Sequence, residues 1–174
     1  MAIIDPEEAA QQILRPTGYR IPVDIYAIAK EHNVEIRSQT LEDTVSGMLV
    51  IKDQYAIIGV NENHHPNRQR FTIAHELGHY ILHRDKARVF VDSKPVFFRD
   101  EVSAEGIYLQ EIQANAFAAA LLMPAKVLRD QVTEPLNPLL DPFDEVTVHT
   151  LATELGVSVQ ALTIRLTRLG LIID

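Results

Sequence analysis

The residues with the clearest chemical promise are His75, Glu76 and His79, the defining positions of the run HELGH. Residues four apart on an α-helix lie one turn apart on the same face, so two imidazoles can aim at one ion. Glu76, next to His75, then stands beside the pair without having to ligate. Zinc lowers the pKa of a bound water to about 7, and a carboxylate can take the proton as the water attacks a carbonyl. That is the mechanical content of the H-E-x-x-H pattern. The competing reading is two surface histidines and a salt-bridged glutamate. Ala74, Leu77 and Gly78 argue against it, because they mark a buried helix face.

A catalytic zinc takes three protein ligands and keeps one position open. The chain has no cysteine, which excludes disulfides and thiolate sites and leaves histidine and carboxylate as ligands. Asp85 has a spacing used where a glycine turns the chain back, but position 82 is Leu. On a continuous helix His83 lies about 12 Å along the axis from His75, too far to share an ion comfortably. It reads as a group behind a ligand, a substrate-side group, or a histidine favoured by a helix C-terminus. Glu111 is the better third ligand. It opens EIQANAFAAALLMP, whose small side chains permit close approach to the HELGH helix. An acid within an apolar pattern is costly to bury without a partner, and a metal provides one. Asn115, one turn on, is placed to hydrogen-bond a ligand imidazole.

These residues need a scaffold. Helical periodicity follows Pro6, runs over 22–33, and returns over 68–83 and 106–123, with Pro124 as an end or a new start. Strand patterns at 34–38, 47–51 and 55–60 read as a small antiparallel sheet, with weaker strand signals at 89–91 and 96–98. Pro135, Pro138 and Pro142 suggest a linker over 133–145 between a core at 1–132 and a C-terminal segment at 146–174. In that segment, helical patterns at 146–155 and 158–169 flank Gly156 and Val157, with Ser158 as a cap and Leu162, Leu166 and Leu169 as the seating face. The expected fold class is α+β, mostly helical, with a helix-turn-helix-like pair at the C-terminus.

At 174 residues and 47% hydrophobic content, the chain can bury a real core. Its formal net charge of −8 opposes a surface built to grip nucleic acid. The C-terminal pair offers Arg165 and Arg168 to a duplex, but Glu154 and the overall charge count against DNA binding. No apolar run approaches the roughly 20 residues of a membrane span, and the start lacks the pattern of a secretory signal. The expectation is a soluble, cytoplasmic protein with no membrane partner.

RQRFTIAHELGHYILH (68–83) followed by EIQANAFAAALLMP (111–124) resembles the ImmA/IrrE family of bacterial metallopeptidases. PVDIYAIAKEHNVEI and LATELGVSVQALTIRLTRLGLI extend the resemblance more loosely over most of the chain. The resemblance implies a gluzincin-like core, with Zn2+ on His75, His79 and Glu111 and with Glu76 as general base. It also implies a regulatory endopeptidase whose substrate is a helix-turn-helix transcriptional repressor. The length points to the short branch carried by phages and conjugative elements, without room for a further sensory domain. Related gluzincins often carry Asp where Asn115 stands. The alternative is a DNA-binding or protein-docking module whose metal site is structural or idle.

Overall fold

The computed structural model describes residues 5–52, 55–85, 89–93, 101–132 and 145–172. The expected strand at 96–98 and nearly all of the expected linker lie outside them. Helix α1 (Pro6–Leu14) starts on Asp5, whose carboxylate accepts from the amides of Glu7 and Glu8, and a single 3-10 turn (Arg15–Thr17) follows it. Helix α2 (Ile25–Glu31) begins later than the apolar pattern suggested, because Asp24 caps it by accepting from the Ala27 amide at 3.0 Å. Then come β1 (Val34–Gln39), β2 (Val45–Lys52), β3 (Tyr55–Asn61), α3 (Pro66–His83), β4 (Val89–Ser93), α4 (Glu101–Leu122), α5 (Ala125–Val132), α6 (Glu145–Leu155) and α7 (Val159–Arg168). Pro124 separates α4 from α5, and Ser158 caps α7 by accepting from the Ala161 amide.

The fold is α+β and mostly helical, but the sheet is mixed where an antiparallel one was expected. Its order is β1-β3-β2-β4, and β1 runs parallel to β3. The β2–β3 hairpin and the β2–β4 pair are antiparallel. Hairpin reasoning fails at β1 because the chain skips a position and leaves room for β3 between β1 and β2. Asn61, fully buried at the end of β3, holds that crossing: its amide donates to the carbonyls of Leu41, Glu42 and Val45.

Alternate residues of β2 and β3 (Gly47, Leu49, Ile51; Ala56, Ile58, Val60) form the buried face of the sheet. Helix α3 lies on this face and against α4, while α1 covers α4 from beyond. Sandwiched in this way, α3 is buried on nearly every side. Ile73, Leu77, Phe117 and Leu121 are fully buried in this packing, each contributing about 1.5–3 kcal/mol. Gly47 allows the sheet contact: a Cβ there would strike Thr72 Cγ2 and stand 2.9 Å from the Gly59 carbonyl oxygen.

Three side chains tie the C-terminal helices to the rest. Asn67 donates to the Val157 carbonyl and Arg70 to those of Gly156 and Val23. Arg165, one of the two arginines considered for DNA, is buried instead, donating to the Met123 carbonyl and to Glu7 at 2.8 Å. Gly156 has φ +66°, and a Cβ there would stand 3.0 Å from Arg70 Nε, so the turn needs glycine twice over.

Candidate metal centre

Helix α3 carries His75 and His79 on one face, both buried, and α4 crosses that face. Gly78 sets how closely the two helices meet. A methyl group there would stand 3.2 Å from both Cα and O of Ala114. At this separation Glu111, one turn before Ala114, reaches across. Its carboxylate oxygens lie 3.2 Å from His75 Nε2 and 3.1 Å from His79 Nε2, and the two imidazole nitrogens are 3.1 Å apart. In a tetrahedral zinc site with bonds of about 2.0–2.1 Å, neighbouring ligand atoms stand about 3.3 Å apart. The three groups are therefore spaced as corners of such a site, with no cysteine needed. Among the described residues, they form the cluster able to hold a metal ion.

The far side of each imidazole is also occupied. Asn115 Oδ1 lies 3.1 Å from His75 Nδ1; an amide oxygen only accepts, so Nδ1 carries the hydrogen and Nε2 keeps its lone pair for a metal. His79 is set through an intermediary. Gln113 Oε1 accepts from His83 Nε2 at 2.9 Å, which leaves His83 Nδ1 to accept from His79 Nδ1, 3.3 Å away. The His79 Nε2 lone pair then also points to the cluster. Phe90 of β4 stacks on the His79 ring, with centroids 4.5 Å apart.

Glu111 is half-buried. Burial pushes its carboxyl up, but in the metal-free state with the rings protonated, hydrogen bonds from His75 and His79 and their positive charge outweigh that and hold it down at about 2; a metal takes the place of those protons on neutral rings. It is a carboxylate, ready to ligate, across the ordinary pH range. Glu76 is fully buried on the sheet side of α3, with Oε1 3.7 Å from where a Gly47 side chain would begin.

Of the other groups singled out from sequence, Asp85 is exposed and outside the cluster. His83 stands behind His79. Tyr80 is buried beneath the Arg84 guanidinium, His65 caps α3, and Tyr108 is exposed one turn before Glu111. Gln113 escaped the sequence reading. It lies two residues from Glu111, off that residue's helical face, and periodicity carries no signal for it.

Two imidazoles one turn apart and a carboxylate from a crossing helix define, on this α+β frame, a three-residue site for a metal ion. The chain belongs to the peptidase M78 family, described as the IrrE N-terminal-like domain, whose pattern matches residues 29–167. It is 36% identical over 81 residues to the radiation response metalloprotease IrrE of Deinococcus deserti, a match covering 46% of this chain and 27% of that one. It is 37% identical over 78 residues to the metallopeptidase ImmA of Bacillus subtilis, covering 45% and 40% respectively. The matched stretches thus span well under half the length of these relatives. A solved Mycobacterium tuberculosis transcriptional regulator shares the fold, with a TM-score of 0.61 at 17% identity over 94% of this chain and 46% of that one. Among the described residues, no helix is long and apolar enough to cross a membrane.

Proposed function

We propose that this chain is a zinc-dependent, gluzincin-like regulatory endopeptidase that cuts a partner protein, a helix-turn-helix transcriptional repressor. The observation that carries the reading is the convergence, at tetrahedral spacing, of Glu111 from α4 with His75 and His79 of α3, the helix that also bears Glu76. The names of the relatives, a metalloprotease and a metallopeptidase, support it. A bound zinc would polarise the scissile carbonyl and lower the pKa of water to about 7. His75 and His79 present Nε2 lone pairs, held in that tautomer by Asn115 and by the His83–Gln113 pair. Glu111 would complete the set of three ligands with a negative charge. Glu76 takes the proton of the attacking water and returns it to the departing amine as the C–N bond breaks. Residues 1–132 carry this chemistry, and the segment 146–174 supplies a docking face.

The test is Glu76→Gln, co-expressed with the repressor-like product of a neighbouring gene. The variant should keep its metal stoichiometry and fold and lose cleavage by about 10²–10⁴-fold, read by mass spectrometry of the repressor. A cut made at the parent rate would remove the enzyme assignment. The DNA reading has lost Arg165 to Glu7 and Met123, leaving Arg168 of the two arginines that prompted it.

A further inference from the structure

Two adjoining concavities lie between α3 and α7. One, of about 540 Å³, runs from Arg68 and Phe71 to Ala161 and Ile164. The second, of about 210 Å³, continues past Phe71, Ala161 and Ile164 to Asn115 and Arg168. The three shared residues make one groove. Its apolar centre is open to solvent, for Ile164 is 49% exposed. One end stops at Asn115, the residue that holds His75.

The charge of the groove is opposite to that of the chain. The whole sequence has 24 Asp and Glu against 16 Lys and Arg, yet no carboxylate is found among the described residues that line either part. Arg68 stands at one end, bonded to the neutral hydroxyl of Ser46, and Arg168 at the other. Arg165 also borders it, but Glu7 answers that charge.

The geometry points to a docking groove for a segment of the protein substrate, one that sets an apolar side chain between Phe71 and Ile164 and carboxylates against Arg68 and Arg168. This rests on the peptidase reading above. Grooves between helices take amphipathic segments by their apolar anchors. Opposite charge at the two ends steers the segment and sets its register. A duplex fits poorly, because two arginines release few counterions and the surrounding field is negative. A site beside the metal centre, rather than in it, lets the protein choose its substrate by a segment distinct from the bond it cuts.

The probe is a fluorescein-labelled amphipathic peptide of Leu and Glu, about four helical turns long, with a Leu and Lys counterpart as control. Anisotropy is read on the Glu76→Gln protein, which keeps the peptide intact. The Glu peptide should bind, and weaken as salt rises. Its affinity should fall by about tenfold or more in Ile164→Asp and, separately, in Arg168→Glu. The Lys peptide should not bind. Unchanged affinity in both variants, or equal binding of the two peptides, would overturn the proposal. Displacement of the peptide by duplex DNA, or a dimer in sedimentation that Ile164→Asp dissociates, would reassign the groove and overturn it too. Cleavage of the co-expressed repressor by the chain with Glu76 intact separates the two readings. Repressor cut while the Glu peptide fails to bind sinks the groove and leaves the peptidase; Glu peptide bound with the repressor uncut sinks the peptidase and, with it, the groove's role in choosing a substrate.

Discussion

Gly78→Ala tests whether the close approach of α3 and α4 builds the metal centre. The added methyl group would stand 3.0 Å from Phe117 Cδ1 and 3.2 Å from both Cα and O of Ala114. Carbon atoms rest about 3.5–4.0 Å apart, so the Phe117 ring must retreat by roughly 0.5 Å and the Ala114 backbone by roughly 0.3 Å. Two of the three contacts are backbone, and a change of rotamer cannot relieve them; α4 itself has to move. Alanine returns about 0.8–1.0 kcal/mol of helix propensity, while overpacking costs about 1–3 kcal/mol. The net effect on stability runs from near zero to a loss of about 2 kcal/mol. Metal affinity is the sharper readout, since Glu111 rides on α4 three residues before Ala114. A shift of about 0.3 Å is about a seventh of a zinc–oxygen bond of about 2.0–2.2 Å. Zinc affinity, measured by competition with a chromophoric chelator, should drop by about tenfold or more, and the thermal shift on adding zinc should shrink. A variant that binds zinc as tightly as the parent and melts higher, by propensity alone, would refute the account.

Three further substitutions examine the cluster and the group behind it. His83→Phe fills the same space without an acceptor and should cost about 10–100-fold in zinc affinity, whereas His83→Asn, whose amide oxygen can still accept from His79, should retain most of it. Equal losses in the two would mean that His83 acts by packing alone. Glu111→Gln tests the ionisation of the metal-free chain. A carboxyl held at about 2, below the usual 4.5, adds stability that is full above the unfolded value and is lost as pH falls through about 2. The urea midpoints of parent and variant should therefore differ at pH 5 and converge towards pH 2. A gap that stays constant over that range would dismiss the electrostatic explanation.

Much of the site was legible in the residue order. The i, i+4 histidines, the neighbouring glutamate and the Ser158 cap depend on contacts within one helical turn, and such contacts form wherever the helix forms. Glu111 could be picked out because an acid stood in an apolar helix. Its role still hung on how α4 lies across α3, which Gly78 and Ala114 decide through contact between segments far apart in sequence. His83, one turn beyond His79, was legible as a group behind a ligand, but Gln113, which completes the relay, had no periodic signal, since it lies off the face of α4 that carries Glu111. The sheet shows the same limit. Strand positions followed from apolar alternation, but the parallel pairing of β1 with β3 was decided by a buried Asn61 that ties down the crossing between β1 and β2.

Local chemistry along the chain thus determined that two imidazoles share a helix face and that a glutamate stands next to one of them in the chain. Only the folded molecule decided which distant carboxylate meets them, what holds their tautomers, and where Arg165 spends its charge. The physical reason is range: capping and helical period are settled by bonds a few residues apart. The Arg165–Glu7 pair, separated by 158 positions, exists only once folding has brought α7 within side-chain reach of α1.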